Sequence, residues 1–228
     1  MQIPDIVIAI DGCSSTGKSS FSKLLAKELG FLYLDSGALY RGVTLFAQEE
    51  HYISRMNIIR PELEEALQTL PLRFNSDNRT FIGDRCIEKE IRTMEVSAQV
   101  SPIAAVPYVR AFVDAKLHEA AAARRVVMDG RDIGTTVFPD AEVKIFMTAS
   151  EEVRARRRYD ELAAKGEYPV MEEVVENLRQ RDYIDSHRET SPLCRAADSY
   201  LLDNSDMTLK EEVEWVKGLI RGKYTIYD

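Results

Sequence analysis

Eight residues near the start of the chain, Gly12-Cys13-Ser14-Ser15-Thr16-Gly17-Lys18-Ser19, read G-x-x-x-x-G-K-[ST], and their flanks narrow the choice of fold sharply. Ahead of them, residues 6–10 (IVIAI) form a short, β-branched apolar run of the kind that makes a strand buried on both faces. Behind them Phe21, Leu24, Leu25 and Leu29 recur at helical spacing, and Gly30 stands where a helix C-terminus turns left-handed. A strand, a glycine loop and a helix in that order make a cradle for phosphates. Backbone N–H groups wrap the anion, the helix adds partial positive charge at its N-terminus, and glycine permits close approach and positive φ. Lys18 would place a charge near the β- and γ-phosphates, and the Ser19 hydroxyl could coordinate Mg²⁺. Gly12, Cys13, Ser14, Ser15, Thr16, Gly17, Lys18, Ser19 and Ser20 are the candidate nucleotide-binding residues. The Ser14 and Ser15 hydroxyls would contact phosphate or simply stay solvated, and Cys13 reads as a space-filler.

The rest of the chain repeats the alternation. Short apolar runs recur at 31–34, 126–128, 143–147 and 200–202, with helical patterns at 107–123, 150–165, 171–188 and 208–221. The last opens on Thr208-Leu209-Lys210-Glu211, a capping box. Strands alternating with helices predict an α/β fold with a parallel sheet covered on both faces. Residues 71–91 break the rhythm. Alternation around Arg73, Phe74, Thr80 and Ile82, with a polar turn at 75–78, predicts a small hairpin inserted into the frame.

Composition limits the partners. With 45% hydrophobic and 30% charged residues of both signs in 228, the chain has material for its own core and reads as soluble and globular. Lys and Arg number 30 against 38 Asp and Glu, a net charge of −8, which argues against a nucleic-acid backbone as partner. Phosphate recognition must then come from local clusters. Cys13, Cys86 and Cys194 lie far apart with no CxxC spacing, and Met1 to Asp5 lack a signal-peptide start. No apolar run approaches the roughly 18 residues of a membrane span. The expectation is a cytoplasmic protein with no membrane partner.

Three constellations supply further chemistry. Arg154, Arg157 and Arg158 fall at i, i+3 and i+4, one helix face, where crowded guanidinium groups suit an anion; a solvated face paired with Glu151, Glu152 and Glu161 is the alternative. Arg181, Asp185 and Arg188 fall at i, i+4 and i+7, with an exposed ion-pair ladder as the alternative. Met128-Asp129-Gly130-Arg131-Asp132 follows a strand, at the sheet edge where α/β folds bind ligands. Asp129 could hold Mg²⁺ directly or through water, Arg131 a phosphate, and Asp132 a base or sugar; a plain Asp-Gly turn is the alternative. Leu34-Asp35-Ser36-Gly37, running on to Tyr40-Arg41, would sit at the same edge. The absence of an Asn-Lys-x-Asp motif weakens a GTPase reading.

Taken with IAIDGxxxxGKS, the stretches LDSGALYR at 34–41, EIRTMEV at 90–96, DGRDIGTTVFPDAEVKIF at 129–146, and Arg181-Asp182 through Ser191-Pro192-Leu193 resemble the bacterial cytidylate (CMP/dCMP) kinase family of nucleoside monophosphate kinases. The resemblance runs across nearly the whole chain. It implies one P-loop domain with a five-stranded parallel sheet flanked by helices, its core at about 1–38, 124–150 and 189–228. A monophosphate-binding insert at about 39–123 would carry the antiparallel element, and a helical lid would span about 151–188. It further implies MgATP as donor on the loop at Gly12 to Ser20 and CMP or dCMP as acceptor, in pyrimidine nucleotide metabolism, with the enzyme acting as a monomer. Arg41, Arg131 and Arg188 would grip the acceptor phosphate beside Ser36 and Gly37. Ser101, Arg110 and Asp132 would read cytosine, whose exocyclic amine suits a carboxylate. Asp185, helped by Arg181, would hold the sugar hydroxyl. Lys18, Arg131, Arg188 and the lid arginines Arg154, Arg157 and Arg158 would neutralise charge on the moving phosphoryl group. The chain departs from the family pattern in its loop, where Ser15 replaces a glycine and Ser19-Ser20 follow Lys18. A kinase acting on UMP, AMP or an alcohol, and an ATP-sensing module without turnover, are the rival readings.

Overall fold

A computed structural model describes residues 3–75 and 77–224. The chain divides into two compact units: residues up to Leu34, Arg124–His187 and from Ser191 on form the first, and Asp35–Ala123 with Arg188–Thr190 the second.

The first unit begins with β1 (Val7–Gly12), every residue of which is buried, and α1 (Lys18–Leu29), ended by Gly30 at φ 65°. β2 (Leu32–Asp35) runs up to the second unit. There follow, in that second unit, α2 (Ser36–Glu49), α3 (Glu62–Leu67), the short strands β3 (Leu72–Phe74), β4 (Thr80–Ile82) and β5 (Arg85–Cys86), then α4 (Met94–Ala104) and α5 (Pro107–Ala120). The chain returns with β6 (Val126–Gly130), a π-helical turn at Ile133–Val137, β7 (Val143–Thr148), α6 (Glu151–Ala163), α7 (Met171–His187), β8 (Tyr200–Asp203) and α8 (Leu209–Tyr224).

Five strands make the main sheet in the order β2-β6-β1-β7-β8. β1 lies parallel to both neighbours, Ile8 facing Val127 on one side and Val143 on the other. β8 is parallel to β7. The two-sided burial explains the unbroken apolar run in β1. Helices α1 and α8 cover the sheet through one core in which Ile8, Ile10, Phe21, Leu25, Val216 and Ile220 are fully enclosed. Each such side chain contributes roughly 1.5–3 kcal/mol of transfer free energy. α8 starts from the expected capping box: Thr208 N–H donates to Glu211 at 2.8 Å, and Glu211 N–H to the Thr208 hydroxyl at 3.4 Å. The fold class is the one the alternation predicted.

In the second unit the expected hairpin is β3 against β4, with Leu72 facing Ile82 and Phe74 facing Thr80. The Asn75 side chain accepts from the Asp77 and Arg79 N–H groups and shapes the polar turn. β5 extends the pair to a three-stranded antiparallel sheet. Two features near the candidate residues differ from the periodicity. α7 closes at His187, so Arg188 is not carried on the helix face with Arg181 and Asp185. The segment after β6 is a π-helical turn, held by Asp11, whose carboxylate accepts Ile133 N–H at 2.7 Å and Gly134 N–H at 2.8 Å.

Candidate active site

β1 ends on Gly12 because nothing larger fits: a Cβ there would lie 2.1 Å from the Met147 carbonyl oxygen of β7. The first glycine of the motif thus serves strand packing. Gly17, at φ 88°, is the N-cap of α1, in the left-handed region that favours glycine. Ser15 also sits in the left-handed region, at φ 59°, where the family pattern has glycine.

Inside the loop the Lys18 amine is buried and donates to the Cys13 carbonyl at 2.5 Å and the Thr16 hydroxyl at 3.2 Å. Burial, and then the Arg131 charge, push its pKa down to about 7 against the pull of Asp129. Bound phosphates would reverse that balance. Next along the helix, Ser19 donates its hydroxyl to Asp129 at 2.8 Å, and Tyr33 donates to the other Asp129 oxygen at 2.7 Å. A hydroxyl and a carboxylate at hydrogen-bond distance are hard oxygen donors of the sort Mg²⁺ takes alongside phosphates and waters. No cluster of three or more metal-ligating side chains occurs among the described residues. Ser20 is exposed.

The outer side of the loop is tied to α6 and α7. Ser14 N–H donates to Asp182 at 2.9 Å, and Arg154 pairs with the same carboxylate while donating to the Ser14 carbonyl at 3.2 Å. Arg131 donates to Asp185 at 2.8 Å and to the Ser14 hydroxyl at 3.2 Å. Burial works against its charge, but Asp185 outweighs that and holds the guanidinium above its usual range. Arg157 bonds the Thr16 carbonyl and Asn204. Arg158 pairs with Glu161 at 3.0 Å, its side chain only 13% exposed. Arg181 is half-buried on α7, and Asp132 is buried at the start of the π-helical turn. Asp11 is pushed up to about 6, mainly by burial.

The second unit holds the other candidates. Asp35 caps α2, accepting Ala38 N–H at 3.0 Å, and pairs with Arg41 at 2.7 Å and Arg92 at 3.5 Å. Burial raises its carboxyl, yet the two guanidinium charges prevail and hold it below the usual range. Ser36 and Gly37 open α2; a Cβ on Gly37 would come within 3.0 Å of Arg41, so its absence lets that side chain lie close. The Arg41 Nε is buried with no hydrogen-bond partner among the described residues. Ser101 is buried on α4. Arg110 of α5 is 2% exposed, donates to the Ala104 carbonyl at 3.2 Å and stacks 5.3 Å from the Tyr40 ring. Arg188 is also buried.

The sequence did not single out Asp11, Tyr33, Arg92, Asp182, Asn204 or Glu212. A carboxylate closing the apolar run of β1 was a signal for Asp11, and the EIRTMEV motif held Arg92. Asn204 and Glu212 carry no local mark, since tertiary contacts alone give them their place.

A family model described as cytidylate kinase matches residues 8–221. The cytidylate kinase of Bacteroides fragilis is 51% identical over 216 residues, covering 92% of this chain and 94% of its own. That of Bacteroides thetaiotaomicron is 49% identical over the same coverage, and that of Flavobacterium johnsoniae 48% over 220 residues, covering 94% and 96%. Among solved structures, TT1252 from Thermus thermophilus superposes with a TM-score of 0.50 at 17% identity, covering 97% of this chain and 98% of its own, a likeness of fold.

Proposed function

Because this chain belongs to the cytidylate kinase family, we propose that it transfers the γ-phosphoryl group of ATP to CMP and dCMP, giving CDP and dCDP. The observation that carries the chemistry is the loop itself, with a buried Lys18 amine beside the Ser19–Asp129 pair. Ser19 and Asp129 would hold Mg²⁺, directly or through water, and the ion would neutralise charge on the β- and γ-phosphates. The acceptor is a phosphate monoester, largely dianionic at neutral pH, so no strong base is needed. Catalysis is then positioning and charge neutralisation by Lys18 and the arginines.

The remaining roles follow the family pattern. Residues of the loop from Gly12 to Ser20 bind ATP. Arg41, Arg131 and Arg188 take the acceptor phosphate beside Ser36 and Gly37, and the unpartnered Arg41 Nε supports that role. Ser101, Arg110 and Asp132 read cytosine, and Asp185 with Arg181 holds the sugar. Arg154, Arg157 and Arg158 belong to the lid at about 151–188, and the insert at about 39–123 serves the monophosphate. The enzyme works on small nucleotides in the cytoplasm, as a monomer; no helix among the described residues is long and apolar enough to cross a membrane.

The test is ADP release from MgATP with CMP, dCMP, UMP and AMP in parallel. Fast turnover with CMP and dCMP, slower with UMP and little with AMP, is the expected pattern. Lys18→Ala should lower turnover at least about 100-fold. Turnover with none of the four, from a folded sample that still binds ATP, would remove the activity and leave a nucleotide-binding loop.

A further inference from the structure

On its outer side the phosphate loop is held at one carbonyl by two donors. Asn204, the residue after β8, is 1% exposed and donates Nδ2 to the Thr16 oxygen at 2.9 Å. Arg157 donates Nη1 to the same oxygen at 3.0 Å. The donors also fix each other: Arg157 reaches the Asn204 Oδ1 through Nη1 and its backbone carbonyl through Nη2, both at 3.0 Å. The second Nδ2 hydrogen goes to Glu212 of α8 at 2.9 Å, and Asn204 N–H donates to the Thr148 carbonyl at 3.0 Å. Arg157 can only donate, so the amide must turn its oxygen to that guanidinium and its N–H groups to the Thr16 carbonyl and Glu212.

The Thr16–Gly17 peptide needs such a restraint. Gly17 stands at φ 88° with no side chain to bias it, and a glycine peptide exchanges easily between backbone states. In a planar trans peptide the C=O and the following N–H point in opposite directions. Two donors pulling the Thr16 oxygen outward therefore turn the Gly17 N–H toward the inside of the loop. We propose that Asn204 is a positioning residue for the nucleotide, which with Arg157 and Glu212 locks this peptide so that the Gly17 N–H faces the bound phosphates. The inference rests on the reading of the loop as an ATP site. It gives Arg157 a task on the loop side of α6, acting through the Thr16 carbonyl.

Asn204→Asp keeps the size of the side chain and an acceptor for Arg157 but removes both donors. Its Kd for MgATP, read by calorimetry, should rise at least about tenfold, the loss of one good hydrogen bond at a charged ligand. The KM for CMP should stay within about twofold, because the acceptor touches other residues. The new carboxylate also faces Glu212, so the double variant Asn204→Asp with Glu212→Gln is made beside it. That pair regains a hydrogen bond and thermal stability without restoring the donor to Thr16. ATP affinity should stay low in the double variant. Parental ATP affinity there would overturn the proposal, as would an equal rise in both KM values. Because ATP binding is read directly, a parent that binds MgATP yet fails to phosphorylate CMP would sink the proposed activity while leaving this test standing.

Discussion

Lys18 carries the loop's chemistry, and its surroundings depress it before any nucleotide arrives. Burial and then Arg131 bring its pKa to about 7, from an ordinary 10.5. The unfolded chain keeps the proton up to about pH 10.5 and the folded chain releases it near 7, so this group's contribution to stability improves as pH rises between those values. Polyphosphate reverses the shift. At pH 8, ATP binding should therefore take up most of one proton, and at pH 6 almost none. Calorimetry in two buffers of different ionisation enthalpy measures that uptake, and equal heats in both buffers at pH 8 would contradict it. At this scale the places of Lys18 and Ser19, at the junction of loop and helix, were legible because the motif fixes their spacing. Asp182 and Asn204 were not, since their importance lies in partners more than a hundred residues away, Ser14 and Thr16.

β1 and β6 were marked by apolar runs whose burial on both faces leaves no room for alternation, and the apolar residues of the edge strand β8 still marked it although Leu202 is the one residue of that strand that is buried. Helix α8 announced itself through its capping box. β5 could not be read that way: two residues are too few to show a period. The π-helical turn was hidden too, because its stabilising partner, Asp11, lies in a different strand. The junction of β1 with the loop is the least tolerant point among these elements. Gly12→Ala would drive a Cβ to 2.1 Å from the Met147 oxygen, a contact that backbone must move to relieve. The expected cost is about 2–4 kcal/mol, in the range of overpacked or strained core changes. Urea unfolding checks it, and a midpoint equal to the parent's would mean that β7 yields without strain.

Alternation predicted a parallel sheet for the molecule as a whole, but not the order β2-β6-β1-β7-β8, which depends on long-range pairings that no local window contains. The hairpin of β3 and β4 was legible because its alternation interrupts the rhythm. A ligand that binds only the folded chain stabilises it by mass action, by about 2.7 kcal/mol at 100 times Kd. MgATP should accordingly raise the thermal midpoint of the parent by several degrees and that of Lys18→Ala far less. Equal shifts in differential scanning fluorimetry would place the nucleotide away from the loop.

The chain order of the sheet has a consequence during synthesis. β1 and the glycine loop leave the ribosome first, but the strands that flank β1 begin at Val126 and Val143. At about 5–20 residues per second, the nascent β1 waits on the order of ten seconds for a neighbour. Meanwhile the continuous segment Asp35–Ala123 has already emerged. The phosphate loop is thus the earliest part of the site to be made and among the last to take shape, and until β6 arrives the apolar IVIAI run is a sticky, unpaired edge for a chaperone to cover.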